Sequence, residues 1–167
     1  MTVEVLRLGH RPIRDKRITT HIGLVARAFG ADKMLLPERD ENIEKSVCSL
    51  VENWGGDFSI DIVGDWKSYI RGFKGTVVHL TMYGMPVDEA IGDVTGDVLV
   101  VVGSEKVPRF VFDNADYNIS IGNQPHSEVS ALAIFLDRFF DGAGLKRDFG
   151  GKLKIEPSTS SKIVKSE

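Results

Sequence analysis

VLVVVGSEKVPRFVFDNADYNISIGNQPHSEVSALAIFL, residues 98–136, is the stretch from which the fold can be read. Residues 98–102 form an unbroken apolar run of strand length, the pattern of a strand covered on both faces. It ends in a turn containing Gly103 and Pro108. A second strand follows at 117–121, then a polar turn with Gly122 and Pro125, then a helix over 127–140 that Gly142 stops. That helix carries Val129, Leu132, Ile134, Phe135, Leu136 and Phe139, so much apolar surface that it is either central to the fold or half of a subunit interface.

Working outward, residues 77–81 repeat the strand pattern and run into Met82-Tyr83-Gly84-Met85-Pro86. Upstream, strands are expected at 3–8, 34–36 and 58–63. Helices are expected over 20–29 with Thr20 as cap, over 40–55 with Asp40 as N-cap, and over 65–73. The polar loop 9–19 is read as unburied. Trp66, Tyr69, Ile70 and Phe73 share one helical face and read as core, with RNA stacking the lesser alternative for any aromatic among them that is exposed. Strands alternating with helices predict an α/β domain, a parallel sheet with helices on both faces. The domain spans 1–150, and 151–167 is a tail with a short strand at 153–155 and a mobile end.

The 167 residues are 42% hydrophobic and 27% charged, which suits one domain with a real core. No apolar run reaches membrane-spanning length, and Arg7, His10 and Arg11 interrupt any signal-like stretch, so a soluble, cytoplasmic protein without a membrane partner is expected. The single cysteine, Cys48, excludes an intrachain disulfide and a cysteine-based zinc cluster; no metal is expected, and Cys48 reads as a buried, inert thiol. A GxGxxG motif and a Walker loop are both missing, which disfavours dinucleotide and P-loop sites. His126, Ser127 and Glu128 are consecutive and point in different directions, so they do not form a hydrolytic triad.

Charge is unevenly spread. Arg7, Arg11, Arg14, Lys16, Arg17 and Arg27 stand against one acid, Asp15, so residues 7–27 carry +5 while the whole chain carries −3. The excess of arginine over lysine points to phosphate binding, because the guanidinium fork matches phosphate oxygens. In an α/β sheet, ligands bind outside the carboxyl ends of the strands. The turns after 81, 102 and 121 all carry glycine and proline, which together make a stiff pocket that backbone can approach closely.

The 98–136 segment resembles the C-terminal half of SPOUT methyltransferases of the SpoU branch, with Gly103 and Glu105 in the G-x-E turn, Asp116 before a strand, and the 127–140 helix. THIGLVARAFGAD resembles their first motif, with His21 at its Asn position, Gly23 in place and Arg27 at its Arg position. Over most of the chain the resemblance is closer still to the archaeal tRNA ribose 2'-O-methyltransferases that act on the T-loop cytidine at position 56. The strings LRLGHRPIRDKR, VHLTMYG, GSEKVPR and IGNQPHSEV carry it. The chain departs from the general pattern at His21, and at HSEVSAL, where an Asn near the helix start is usual.

The resemblance implies a five- or six-stranded sheet with a C-terminal trefoil knot, a homodimer, and S-adenosyl-L-methionine (SAM) as methyl donor for tRNA, with no DNA partner. It implies SAM contacts at Leu80, Thr81, Gly103, Ser104, Glu105, Lys106, Val107, Ile121, Gly122, Asn123, Gln124, Pro125, His126, Ser127 and Glu128. RNA phosphates would meet Arg7, Arg11, Arg14, Lys16 and Arg17. Arg27 would act at the 2'-hydroxyl, by orientation and charge more than as a base given its high pKa, with His21 as the alternative base. Replacing Arg27 would then abolish methyl transfer and spare SAM binding. Two alternatives stay open: the same chemistry on another RNA, and a non-catalytic RNA- or SAM-binding member of the fold.

Overall fold

The computed structural model describes residues 1–104 and 106–166. In chain order they form β1 (Val3–Arg7), α1 (Lys16–Ala28), β2 (Lys33–Leu36), α2 (Glu41–Trp54), β3 (Ser59–Ile62), α3 (Trp66–Gly72) and β4 (Thr76–Pro86). There follow α4 (Val87–Ala90), β5 (Val98–Val102), α5 (Arg109–Asn114), β6 (Tyr117–Ser120), α6 (Glu128–Phe139), β7 (Leu153–Glu156) and β8 (Ile163–Ser166). β1 to β6 make one sheet in the order β3-β2-β1-β5-β4-β6, and every pairing in it is parallel.

The apolar run at 98–102 is explained by its place. β5 lies between β1 and β4, and its side chains alternate between two cores. Val98, Val100 and Val102 pack with Ile22 of α1, Ile43 and Val47 of α2, and Leu132, Phe135 and Leu136 of α6. Leu99 and Val101 pack on the opposite face with Ile70 of α3 and Val111 of α5. Trp66, Tyr69 and Phe73 are partly buried against that second core, as their helical spacing predicts.

Local chemistry fixes the helix starts. Asp40 caps α2 by accepting from the N–H groups of Asn42 and Ile43, at 3.0 and 3.3 Å. Ser127 caps α6 by accepting from the N–H of Val129 at 3.2 Å. The start of α1 differs from the expectation: it begins at Lys16 with Asp15 at the N-cap position, and the Thr20 hydroxyl instead donates to the Lys16 carbonyl within the helix. Lys and Arg are good helix formers, so a charged, exposed first turn looks like loop only when apolar periodicity is the criterion.

Three further expectations are corrected. Within 9–19, Asp15 and Thr19 are buried. Cys48 is exposed, because it follows Val47 by about 100° around α2 and so leaves the apolar face. The tail contains a second strand, β8, paired antiparallel with β7.

Candidate functional site

The turns after β4, β5 and β6 converge at the carboxyl ends of those strands on a cleft of roughly 710 Å³. Its first wall comes from an interruption in the pairing of β4 with β6. Leu80 pairs with Ile119, and so does Met85, so residues 81–84 bulge out between them. Asn123 holds that bulge, its Nδ2 donating to the carbonyls of Met82 at 2.8 Å and Gly84 at 3.2 Å. Glycine is required at 84, where an added Cβ would lie 2.5 Å from the Asn118 backbone.

The second wall is the turn after β5. Gly103 lets Val107 fold back, since a Cβ there would meet Val107 Cγ2 at 2.0 Å. The third is the turn from Ile121 to Ser127, closed by His126, whose Nε2 lies 2.6 Å from the Ile121 carbonyl and whose Nδ1 lies 3.0 Å from Ser130 Oγ. Glu128, the first residue of α6, adds a carboxylate to the lining.

Of the residues expected to contact a cofactor, Leu80, Thr81, Gly103, Ser104, Lys106, Val107, Ile121, Gly122, Gln124, Pro125, His126, Ser127 and Glu128 all line this cleft. Asn123 is outside the lining and acts through the bulge; Glu105 lies outside the described residues. His79, Met82, Tyr83, Phe112 and Ala131 also line the cleft and were not foreseen. Met82 and Tyr83 sit in a turn the sequence marks, whereas His79 and Phe112 lie inside elements and meet only through the fold. Among the described residues, no group of three His, Cys, Asp or Glu is placed to hold a metal ion. No helix there is long and apolar enough to cross a membrane.

His79 is fully buried, with its ring edge-on to Phe112 at 4.7 Å between centroids. Its Nδ1 is 2.8 Å from Asn118 Oδ1, and Asn118 Nδ2 donates to the Phe112 carbonyl, an arrangement that puts the proton on Nδ1. Burial lowers the pKa of His79 and the Asn118 hydrogen bond opposes this only in part. Below the ordinary value of 6.5 the unfolded chain takes up a proton that the folded chain refuses, so stability falls with pH. The stability lost between pH 7 and pH 5 is expected to be smaller in His79→Gln, measured by urea unfolding at each pH; an unchanged loss would contradict the assignment.

The basic residues do not act as one patch. Arg7 is 1% exposed, and its Nη1 lies 3.1 Å from Glu128 Oε1, close enough for an ion pair but outside hydrogen-bond geometry. Its Nε points at Thr19 Oγ1, 3.4 Å away, and Thr19 lies 2.6 Å from His10 Nδ1, whose Nε2 meets Asp40 Oδ2 at 2.9 Å. Arg7 is therefore corrected from an RNA contact to an internal strut, placed by β1, whose last residue points inward beneath α6.

Arg27, expected at the 2'-hydroxyl, does not line the cleft. It is 7% exposed, its guanidinium donates to the carbonyls of Trp54 (2.8 Å) and Gly55 (2.7 and 3.2 Å), and it lies 4.3 Å from the Phe149 ring centroid. Burial, and then the nearby Arg147 charge, lower its pKa. His21 is exposed and outside the cleft lining. Six residues separate it from Arg27, about 240° around a helix, so the two face different surroundings. Arg14, Lys16, Arg17 and His21 share a shallow depression with Ile13 and Thr20. Arg11 is half exposed and paired with Asp15 at 2.8 Å.

A family model described as "tRNA ribose 2'-O-methyltransferase, aTrm56" matches residues 54–165. A "tRNA (cytidine(56)-2'-O)-methyltransferase" of Methanothrix thermoacetophila is 55% identical over 169 residues, covering 98% of this chain and 97% of the relative. One of the same description from Methanocaldococcus jannaschii is 56% identical, covering 98% and 96%. Among solved structures, the SpoU methyltransferase AviRb from Streptomyces viridochromogenes in complex with AdoMet aligns with a TM-score of 0.57 at 16% identity, over 90% of this chain and 59% of that one. Ribosomal RNA small subunit methyltransferase E from Neisseria gonorrhoeae, bound to S-adenosyl methionine, aligns at 0.63 and 11% identity, over 84% and 66%. The chain thus spans less than two thirds of either structure, and these two show the fold alone.

Proposed function

This chain belongs to the tRNA ribose 2'-O-methyltransferase family, and from that premise we propose that it methylates the 2'-hydroxyl of the T-loop cytidine at tRNA position 56, with SAM as donor. The observation that carries the proposal is the convergence of three glycine-containing turns on one cleft at the carboxyl ends of β4, β5 and β6.

The residues there fit SAM. Leu80, Val107 and Ile121 offer apolar walls for an adenine, Gly103 and Gly122 leave backbone close to the ligand, and Glu128 is a carboxylate suited to a cationic group. When bound, SAM supplies an electrophilic methyl on a sulfonium. The chain's own part is to hold the cleft in shape: Asn123 fixes the 81–84 bulge, His126 closes the last turn, and Arg7 fixes the start of α6 through Glu128. Preorganisation of this kind orients the reactants and lowers the entropic part of the barrier.

tRNA phosphates are assigned to Arg14, Lys16 and Arg17, with Arg11 at the edge, because these are the accessible cations of the N-terminal segment. Of the two groups expected at the hydroxyl, His21 is the accessible one. Since it does not line the cleft of its own chain, it would reach a ribose from a second copy. A homodimer accommodates this, and Ile13, Ile18 and Leu24 near or on α1 and Ile134 on α6 are apolar side chains left exposed for it. The trefoil knot implied by the resemblance is part of the same proposal; contact of the 121–127 turn with the 81–84 bulge supports it. A cytoplasmic location goes with a tRNA substrate.

The test uses methyl-labelled SAM and a full tRNA transcript. Label is expected in the transcript, and is expected to vanish when the nucleotide at position 56 is 2'-deoxycytidine. Label retained on the deoxy transcript would exclude 2'-O-methylation at that nucleotide.

A further inference from the structure

We infer that the smaller cavity beside the cofactor cleft is the pocket for the target cytosine base, with Trp66 as a stacking wall and Glu38 as the acceptor for the cytosine N4 amino group. The inference rests on the proposed 2'-O-methylation of a cytidine and adds what selects the base.

Position comes first. The cavity, roughly 260 Å³, is formed where the turns after β1, β2 and β5 meet, and it shares Ser104, Lys106 and Val107 with the cofactor cleft. A single turn of chain therefore divides the two. A ribose presented to the cleft has its base one glycosidic bond away.

The lining has the chemistry of a cytosine site. Trp66 is half-buried, and its ring is set edge-on to Phe110 at 5.7 Å between centroids, so the indole is held in place. An aromatic face is the usual platform for an unstacked base. Glu38 is exposed on the cavity rim and has no ion-pair or hydrogen-bond partner among the described residues; the neighbouring Arg39 pairs with Glu44 instead. A carboxylate accepts from the cytosine N4 amino group and repels the O4 carbonyl that uracil carries there. Lys106, on the side shared with the cleft, is a cation suited to the cytosine O2 carbonyl. His10 is pinned between Thr19 and Asp40, and Pro37 and Pro108 stiffen the walls, so the cavity is formed in advance.

The experiment compares Glu38→Gln with the unaltered protein on full tRNA transcripts carrying cytidine or uridine at position 56. Glu38→Gln is expected to lower kcat/KM on the cytidine transcript on the order of 10-fold, to leave or raise that on the uridine transcript, and to keep SAM affinity by calorimetry. A cytidine-to-uridine ratio equal to that of the unaltered protein would overturn the inference. Trp66→Phe is expected to keep activity, whereas Trp66→Ala raises KM for tRNA; because Trp66 also touches a core, the surface position Glu38 carries the decision. If the unaltered protein labels the 2'-deoxy transcript, the underlying reading fails first and the base pocket fails with it. Normal labelling with an unaltered ratio in Glu38→Gln removes the base pocket alone.

Discussion

Arg27→Ala is expected to unfold roughly 6–12 °C below the unaltered protein, a shift that corresponds to about 3 kcal/mol in a domain of this size. Three contacts to the carbonyls of Trp54 and Gly55 satisfy the end of α2, where a helix leaves its last carbonyls without intrahelical partners. The same guanidinium covers Phe149, and the Gly56 N–H donates to the Phe149 carbonyl at 2.8 Å, so this one side chain links α1, α2 and the segment leading to β7. Alanine would leave two carbonyls unpaired and the ring uncovered. The family resemblance implies a functional result for the same variant: nearly intact SAM binding and no methyl transfer. Calorimetry and a methyl-transfer assay well below the midpoint separate the two. An unaltered midpoint with activity abolished would sink the structural role.

Arg7→Ala is expected to cost more, about 3–5 kcal/mol, read as a fall in the urea midpoint at constant slope. Arg7 is among the largest fully buried side chains, and burial works against its charge while Glu128 and then Asp15 favour it. Removing it leaves a cavity, takes the counter-charge from Glu128, and deprives Thr19 of its contact with the Arg7 Nε. Arg7→Met keeps most of the volume and also removes the desolvated charge, so its cost is expected to be clearly smaller. A double-mutant cycle with Glu128→Gln is expected to show coupling on the order of 1 kcal/mol or more. Equal losses for Arg7→Ala and Arg7→Met would mean that the filled volume contributes nothing, and a cycle without coupling would mean that the ion pair with Glu128 contributes nothing to the fold. Since Glu128 also lines the cleft, Arg7→Ala is expected to weaken SAM binding in the protein that remains folded.

The contrast between these arginines and the cleft shows what kind of information a sequence carries. The cleft was legible because its residues immediately follow strands, and strand ends can be found from runs such as 98–102 and from the glycine and proline after them. The cap of α2 was legible for a related reason: Asp40 bonds to N–H groups two and three residues away, so cause and effect lie within one short stretch, whereas the cap expected at Thr20 lies inside α1. His79 and Phe112 went unseen because they lie 33 positions apart, in a strand and a helix that only the sheet brings together.

What the sequence by itself determined, then, is the order of most elements, the strands buried on both faces, and the loops that line the cleft, all set by periodicity and short-range hydrogen bonding. Which arginine meets water was decided by the tertiary structure alone. Arg7, Arg17 and Arg27 are chemically identical in the chain. β1 turns the first beneath α6, α1 exposes the second, and α1 with the end of α2 encloses the third. The physical reason is that a guanidinium can be buried only where charges or carbonyls from distant segments meet it, and those partners stand 121 residues from Arg7 and 27 and 28 from Arg27.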